Sequence, residues 1–247
     1  ALSLKNHNVY GNLSWKERLG KYWKFYAGAS YSNNRDQISN ELQDQDDQPV
    51  AISKFPYSAK NYSGDITANL AQVKTVLERR LGSISAIRFG GEYLYYQDYI
   101  LFEDSLSKNT TLKDHFKAAF AETDIYITNS IAAKLGARME HSSLINKVNI
   151  VPRISLAYKL GEKGQVSLAY GIFYQKPERN QLAITQNLDY TKATHYIANY
   201  QKLTATKTFR VEAFYKKYED LVKLSPALNN SGNGFAKGVE FFWRDKK

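Results

Sequence analysis

The chain has 247 residues, of which 43% are hydrophobic, and carries a formal net charge of +10. No run approaches the roughly 20 consecutive apolar residues that a membrane-spanning helix needs, which excludes a helical membrane protein. The absence of cysteine excludes a disulfide framework and a thiol nucleophile, and basic residues scattered among acids argue against a nucleic-acid surface.

The first elements are predicted as strands because apolar residues recur at every second position. Val9–Arg18 alternates loosely, Leu19-Gly20 reverses the chain, and Lys21–Ser32 returns with aromatic and small residues on one face. The polar stretch 33–61 follows. A connection of this length in a compact domain indicates a functional or mobile loop.

Residues 62–81 fit two patterns. One is a helical stripe with three- and four-residue spacing, formed by Ile66, Leu70, Val73, Leu77 and Leu81. The other is a strand with Ala71, Val73, Thr75 and Leu77 on one face. Because Ile84–Ile100 alternates plainly and only Gly82-Ser83 separates the two segments, we interpret both as strands of one hairpin.

Seven further strands are predicted in the rest of the chain: Leu112–Thr128, Ile131–His141, the two arms of the hairpin Asn149–Lys176 around Gly161–Gly164, Thr194–Leu203, Thr208–Val222 and a strand from about Phe235. In the Asn149–Lys176 hairpin one face is aliphatic and ends in tyrosines, whereas the other is small, polar or charged. A transmembrane β-barrel has this pattern, but so does a soluble sheet with one buried face.

The connections between the eleven predicted strands alternate in length. The short ones are Leu19-Gly20, Gly82-Ser83, Asn129-Ser130, Gly161–Gly164 and Ala205-Thr206; the long ones are 33–61, 101–111, 142–148, 177–191 and 223–234. Short turns at one rim and long loops at the other are typical of outer-membrane barrels. We therefore predict an all-β fold, an antiparallel up-and-down transmembrane β-barrel.

Several strand motifs support this assignment. They are Ile87–Tyr93 (IRFGGEY), Pro152–Tyr158 (PRISLAY), Gly171–Gln175 (GIFYQ), Ala193–Gln201 (ATHYIANYQ), Phe209–Tyr218 (FRVEAFYKKY) and Gly238–Arg244 (GVEFFWR). Together they resemble the barrel of TonB-dependent outer-membrane receptors, most of all those of the Bacteroidetes group. One departure is that Asp189-Tyr190-Thr191 stands where the family usually has a Pro-Glu pair.

The resemblance implies a barrel of 22 strands closed by an N-terminal plug, with a segment that engages TonB. Neither the plug nor that segment is recognisable here, and an isolated half barrel would leave two strand edges unpaired in hydrocarbon. We therefore expect residues 1–247 to be part of a single outer-membrane β-barrel domain, about half of it, in the bacterial outer membrane.

The function implied by the resemblance is active import of a scarce solute: a siderophore, cofactor, glycan or peptide. The expected partners are outer-membrane lipid, TonB through the plug segment, the small solute and, as a further candidate, a surface lipoprotein. No enzyme activity, cofactor or nucleic-acid partner is expected. The alternatives are a passive outer-membrane porin or adhesin and a soluble all-β carbohydrate-binding domain.

Two groups of candidate functional residues follow from the pattern. The lumen-facing candidates alternate with the apolar face: Arg88, Glu92, Lys134, Arg138, Arg153, Arg210 and Glu212. They either contact the plug and line the solute path, or form a polar lattice that holds the wall together. Tyr174, Gln175 and Arg179 lie where a strand passes into an external loop and are candidates for solute contact.

Other polar groups favour simpler interpretations. The acidic run Glu41, Asp44, Asp46 and Asp47 lacks the spacing and glycine of an EF-hand loop, which favours a solvated loop over a cation site. The four histidines His7, His115, His141 and His195 are widely separated, so no metal site and no catalytic residue is predicted. Aromatic residues near strand ends are expected to anchor the barrel at the membrane interfaces.

Overall fold

The computed structural model describes residues 1–50, 54, 57–82, 85–103 and 108–246. Within them a single antiparallel sheet has its strands in chain order, and each strand pairs with the next. The strands are β1 Leu2–Leu19, β2 Trp23–Asn40, β3 Tyr62–Leu81, β4 Ser85–Glu103, β5 Lys108–Tyr126, β6 Ile131–Ser142, β7 Lys147–Leu160, β8 Gly164–Gln175, β9 Thr191–Leu203, β10 Lys207–Lys223 and β11 Asn229–Asp245. The predicted up-and-down β fold is confirmed.

The ambiguous segment 62–81 is a strand along its whole length. It pairs with β2 from Asn40↔Tyr62 to Trp23↔Arg79 and with β4 on its other edge. The helical alternative is therefore wrong, because both neighbours satisfy the backbone of β3 as a strand. The turn that follows begins at Gly82, whose φ of +74° favours glycine, whereas Ser83 of the predicted turn lies outside the described residues.

Several strands extend further than predicted. β1 begins at Leu2, β2 runs on to Asn40, β5 begins at Lys108 and β11 at Asn229. The predicted long connections 33–61 and 223–234 accordingly shorten to 41–61 and 224–228. The connection 143–146 is then no longer than 127–130 at the opposite rim, so the predicted alternation of connection lengths is less regular than the sequence indicated.

The connection between β8 and β9, residues 176–190, contains a helix that was not predicted. This helix, α1, spans Arg179–Ile184, and the N–H of Glu178 donates to the side chain of Gln181 at 3.0 Å, which satisfies one backbone donor at its start. A short 3-10 turn, Tyr57–Lys60, precedes β3. No helix in the part of the chain described here has the length and apolar content to cross a bilayer.

The sheet has one apolar and one polar face because side chains alternate along every strand. On the apolar face, cross-strand neighbours form rows at successive heights. About midway along β8–β11, one row consists of Tyr170, Tyr196, Tyr215 and Phe235, whose successive ring centroids are 5.2, 6.3 and 6.1 Å apart. The outer ends of the strands are the ends opposite the short turns. Below this row lie Leu168, Ala198, Ala213 and Val239. Phe241 and Trp243 on this face are 74% and 70% exposed, so the face needs an apolar covering.

The polar face is packed closely where a glycine meets an aromatic ring. Gly90 on β4 lies opposite Phe120 on β5, and a Cβ at Gly90 would be 2.2 Å from Phe120 Cζ and 2.8 Å from the carbonyl oxygen of Thr75. The ring covers the bare glycine backbone, an arrangement that aligns neighbouring strands.

We expect Gly90→Ala to lower the free energy of unfolding by about 1–3 kcal/mol, because Phe120 and the β3 backbone must both move. Gly11→Ala is the matched control, since a Cβ at Gly11 on β1 meets nothing within 4 Å. Urea unfolding of the whole protein in lipid vesicles measures both variants. Equal midpoints for the two would contradict the close contact.

Candidate functional site

All seven lumen-facing candidates lie on the polar face. The pairing register aligns Arg88 with Glu122, Glu122 with Gly136 and Gly136 with Arg153, and the other five candidates lie on the same side of their strands. The seven residues therefore share one face of the sheet, and their position in a lumen stays a prediction. Whether these residues contact a solute stays a prediction.

One row of neighbouring residues crosses this face from β2 to β10, and we call it the charge row. It consists of Lys24, Glu78, Arg88, Glu122, Gly136, Arg153, Gly171, His195 and Lys216. On β2–β5 its charges alternate in sign. Lys24 Nζ is 3.0 Å from Glu78 Oε1, and Arg88 Nε is 2.7 Å from Glu78 Oε2.

Arg88 is the centre of this alternating part. Its Nη1 lies 2.6 Å from Asp124 Oδ2 and 3.3 Å from Glu122 Oε1, so with Glu78 it contacts three carboxylates. Lys134 Nζ adds contacts to Glu122 at 3.5 Å and to Asp124 at 3.8 Å. The side chains of Arg88 and its partners are 20–31% exposed, which reduces solvent screening.

A second cluster lies further towards the outer ends of β3–β6. Arg138 Nη2 is 2.7 Å from Glu92 Oε2, and its Nε donates to Glu140. Glu92 also accepts from the side-chain amide of Gln72 at 2.5 Å. Among the predicted lumen candidates, Arg88, Glu92, Lys134 and Arg138 therefore form the ionic lattice that holds adjacent strands together.

The remaining lumen candidates differ from these four. Arg153 stands over Phe173 with its Cζ 4.9 Å from the ring centroid, and Arg210 stands over Phe242 at 5.7 Å. Glu212 accepts from Asn199 Nδ2 at 3.2 Å. A cavity of 580 Å³ opens beside Arg153 and is lined by Lys74, Phe120, Gly136, Gly171, Phe173 and His195 among others.

The 176–190 loop folds back onto the polar face near the outer ends of β4–β6. Lys176 Nζ donates to Asp114 Oδ2 on β5 at 2.7 Å. Asp114 is 1% exposed and also accepts from Ser142 Oγ at 2.8 Å and from the backbone N–H of Leu144 at 3.2 Å. A strand-end lysine is thus joined to a carboxylate that lies 62 residues away in the sequence.

Further contacts hold the same loop. Arg179 Nε at the start of α1 is 2.8 Å from Asp98 Oδ2 on β4. Leu182 and Leu188 of the loop pack with Leu112 in a buried cluster that also contacts Ile100, Leu144, Val222 and Leu228. We call Lys176–Asp114 and Arg179–Asp98 the loop anchors. Sequence reasoning missed Asp114, because an isolated carboxylate on a strand gives no signal of a distant partner.

The three predicted solute-contact residues lie around this loop. Tyr174 packs edge-on against Tyr190, with ring centroids 6.2 Å apart. Gln175 pairs with Thr191 at the end of the β8–β9 ladder, and Arg179 forms a loop anchor. The structure brings the three to one end of β8, and their contact with a solute stays a prediction.

The carboxylates of the two loop anchors, Asp98 and Asp114, lie further out along their strands than the part of the sheet whose outer face is apolar. On the apolar face of β3, Ala71 is followed outwards by the polar residue Asn69. On the same face of β4, Tyr95 is followed outwards by Gln97. Asn69 accepts a hydrogen bond from Asn33 at 2.8 Å. Burial raises the pKa of Asp98 above its usual 3.8, against the opposing effect of Arg179. Burial would also raise the pKa of Asp114, but Lys176, Ser142 and the Leu144 N–H together lower it below 3.8.

These opposite directions predict the order in which acid releases the loop anchors. Asp98 has a raised folded-state pKa, so it is protonated first as the pH falls, and this step costs no stability. Asp114 has a lowered folded-state pKa. The stability that its charge contributes is therefore present above the unfolded-state pKa and is lost as the pH falls below about 3.8. Asp98→Asn should therefore leave the thermal midpoint at pH 7 within about 2 °C of wild type.

Asp114→Asn is the comparison that decides this prediction. It removes the charge that Lys176 needs, so its thermal midpoint at pH 7 should fall clearly below that of Asp98→Asn. Thermal unfolding followed by circular dichroism at pH 7 and pH 3.5 measures both. Equal losses at pH 7 would contradict the assigned directions.

The acidic run of the sequence is a hydrogen-bonded turn. Asp44 Oδ1 accepts from the N–H groups of Asp46 and Gln48, both at 2.9 Å, as short polar side chains often do in turns. Across residues 1–50, 54, 57–82, 85–103 and 108–246, the acids and histidines form no group of three or more that could hold a metal ion.

Comparison with known proteins gives one family and several similar structures. Residues 2–244 match the family model described as "TonB dependent receptor-like, beta-barrel". No curated protein matches the sequence. A mutant of the ferric enterobactin receptor PfeA from Pseudomonas aeruginosa is similar at a TM-score of 0.80 and 12% identity, over 97% of this chain and 41% of that chain.

Two further solved structures share the fold. The siderophore receptor PirA from Acinetobacter baumannii has a TM-score of 0.77 and 11% identity, over 97% of this chain and 42% of that one. The alcaligin outer-membrane receptor FauA from Bordetella pertussis has a TM-score of 0.74 and 12% identity, over 99% of this chain and 44% of that one. The chain thus spans less than half the length of these proteins.

Proposed function

This chain belongs to the family of TonB-dependent receptor-like β-barrels of the bacterial outer membrane, and we propose that the whole protein imports a scarce solute with energy delivered through TonB. The family match over residues 2–244 is the observation that carries the proposal. The predicted outer-membrane localisation is confirmed by that membership.

The two faces of the sheet support transport through a lumen. Lipid covers the face that ends in the Tyr170–Phe235 aromatic row, as at a membrane interface. The opposite face carries the charge row and a cavity of 580 Å³, which suits a water-filled path. The 176–190 loop, held by its anchors at the outer end, would border the entrance for a solute arriving from outside.

Siderophores are the first solutes to test. The similar structures are named as receptors for ferric enterobactin and alcaligin and as siderophore receptors. At 11–12% identity this likeness concerns the fold, so cofactors, glycans and peptides remain in the test set. The proposed partners are the lipid of the outer membrane, TonB through a plug segment, and a surface lipoprotein.

Growth under limitation tests the proposal. Strains that have or lack the full-length protein, each with and without TonB, receive one limiting nutrient at a time: a ferric siderophore, cobalamin, an oligosaccharide or a peptide. We expect one nutrient to support growth only when both the protein and TonB are present.

Uptake that needs the protein but not TonB would instead indicate a passive porin, since a porin requires no energy from the inner membrane. A protein that is extracted without detergent and is monodisperse in plain buffer would indicate a soluble β domain. Either result would overturn the proposal.

A further inference from the structure

The charge row changes character halfway across the polar face. From β2 to β5 it alternates bases with acids. From β6 to β10 it contains no acid, and its residues are Gly136, Arg153, Gly171, His195 and Lys216. Within the described part of the chain, neither Arg153 nor Lys216 forms an ion pair.

These two cations stand over aromatic rings. Arg153 Cζ is 4.9 Å from the centroid of Phe173, and Lys216 Nζ is 4.9 Å from that of Phe214. The His195 ring lies between them, 4.7 Å from Phe173. A ring face attracts a cation but neutralises none of its charge, so the N–H donors stay available to an anion.

The acids nearest to this group are either paired already or distant. Glu122, two strands from Arg153, lines the same cavity but contacts Arg88 at 3.3 Å and Lys134 at 3.5 Å. Glu212 and Glu240 lie opposite each other on β10 and β11. Glu212 is four residues from Lys216 along β10, a separation of about 13 Å in an extended strand. The basic half of the charge row therefore keeps its positive charge.

Space for a ligand is present beside Arg153 and His195, whereas Lys216 lies outside the lining of the 580 Å³ cavity. Gly136 and Gly171 flank Arg153 on β6 and β8 and place no side chain on the polar face. The cavity of 580 Å³ is lined by Arg153, Phe173 and His195, and its volume falls within the roughly 300–1,000 Å³ range of small-molecule sites.

The basic half also lies further from the short-turn rim than the balanced half does. Gly171, His195 and Lys216 are the chain neighbours of Tyr170, Tyr196 and Tyr215 in the aromatic row of the apolar face, and Lys216 lies about midway along β10. At its other end the row begins at Lys24, one residue into β2 from the short-turn rim. Along the charge row, a solute moving inwards would pass Arg153, His195 and Lys216 before it reaches Arg88, Glu78 and Lys24.

We propose that Arg153, His195 and Lys216 form a binding site for a small solute that carries at least two acidic groups, carboxylate or phosphate. Arg153 and Lys216 stand three strands apart, about 14 Å between backbones, so their long side chains can hold the two ends of one molecule. The inference rests on the proposed import function, because it assigns the chemical class of the imported solute.

Binding of matched acids to the full-length receptor in detergent tests the site. Adipate has two carboxylates, and hexanoate has one on a chain of the same length. By isothermal titration calorimetry we expect adipate to bind at least about fivefold more tightly than hexanoate, with an affinity that falls as salt is added. Arg153→Gln and Lys216→Gln should each weaken adipate binding by about fivefold or more.

Lys237→Gln is the control variant. Lys237 lies on β11 at nearly the same height as Lys216, with its Nζ 5.7 Å from the Phe235 centroid, but on the apolar face. The Lys237→Gln substitution removes the same charge from the other side of the wall, so adipate binding should stay within about twofold of wild type.

Three outcomes would overturn the site. Wild-type receptor that binds no adipate would show that the bases are already neutralised, for example by an acidic segment of the same protein inside the barrel. Equal binding of hexanoate, or an equal loss in Lys237→Gln, would exclude a two-acid site on the polar face. The titration needs no TonB, so it is independent of the growth test. Failed adipate binding together with TonB-dependent growth would reject this site alone. Adipate binding without TonB-dependent growth would reject the import function alone.

Discussion

Asp114→Ala should release the 176–190 loop from the polar face and lower the free energy of unfolding by about 3 kcal/mol. Asp114 is 1% exposed and accepts hydrogen bonds from Lys176, Ser142 and the Leu144 N–H. Without the carboxylate, the Lys176 ammonium stays between Tyr96 and Phe116, 4.2 and 5.5 Å from their centroids, with no counter-charge. Removing one partner of a buried pair typically costs about 3–5 kcal/mol. The lower end applies here because the Lys176 side chain is 27% exposed.

Asp65→Ala is the matched control. Asp65 forms a similar pair with Arg35, at 2.5 Å, but that arginine side chain is 53% exposed. Exposed pairs contribute about 0–1 kcal/mol. Urea unfolding of the full-length receptor in lipid vesicles measures both variants, and cleavage by the protease Glu-C after Glu178 reports release of the loop separately.

We expect faster cleavage after Glu178 in Asp114→Ala and wild-type cleavage in Asp65→Ala. If both variants lose less than 1 kcal/mol and keep the wild-type cleavage rate, Lys176–Asp114 does not anchor the loop. A second variant, Lys176→Met, removes the charge together with its need for a partner, and should therefore cost less than Asp114→Ala.

The number of strands and the direction of their faces could be predicted because lipid and lumen impose opposite demands on alternate residues. Leu156 and Tyr158 on β7 alternate with Ser155 and Lys159 for that reason. Inside the membrane region the alternation is therefore strong enough to identify the strands, including β3, despite its competing helical stripe.

The strand ends could not be predicted because this demand disappears beyond the bilayer. Asn33 and Asn69 lie on the lipid-facing side of β2 and β3, yet both are polar and they hydrogen-bond each other. Where both faces meet water a strand can be polar throughout, and its sequence resembles a loop. The predicted loops 33–61 and 223–234 were too long for this reason.

The loop anchors were missed for a different reason. Asp114 and Lys176 are 62 residues apart, and each lies among residues that fit an ordinary strand end. Local periodicity contains no information about which charges meet between segments that are not neighbours in the sheet. The pairing register of the strands does contain this information. It aligns the residues of the charge row, which is balanced on one half and basic on the other.

Arg88→Gln tests the balanced half of that row, and we expect it to lower the free energy of unfolding by about 2 kcal/mol. Arg88 contacts Glu78, Glu122 and Asp124. Its loss leaves three carboxylates, which among the described residues form ion pairs only with Lys24 and Lys134. These lysine side chains are 48% and 51% exposed. Breaking a buried pair costs more, about 3–5 kcal/mol, but these side chains are partly exposed, which screens part of the repulsion.

Arg153→Gln is the control on the same row, because Arg153 has no carboxylate partner among the described residues and its loss should cost less than about 0.5 kcal/mol. The double variant Arg88→Gln with Asp124→Asn removes one uncompensated carboxylate and should recover part of the lost stability, with the coupling measured by a double-mutant cycle. Urea unfolding in lipid vesicles distinguishes the outcomes. Equal losses for Arg88→Gln and Arg153→Gln, with no recovery in the double variant, would mean that both halves of the row contribute alike and that the ionic lattice does not stabilise the wall.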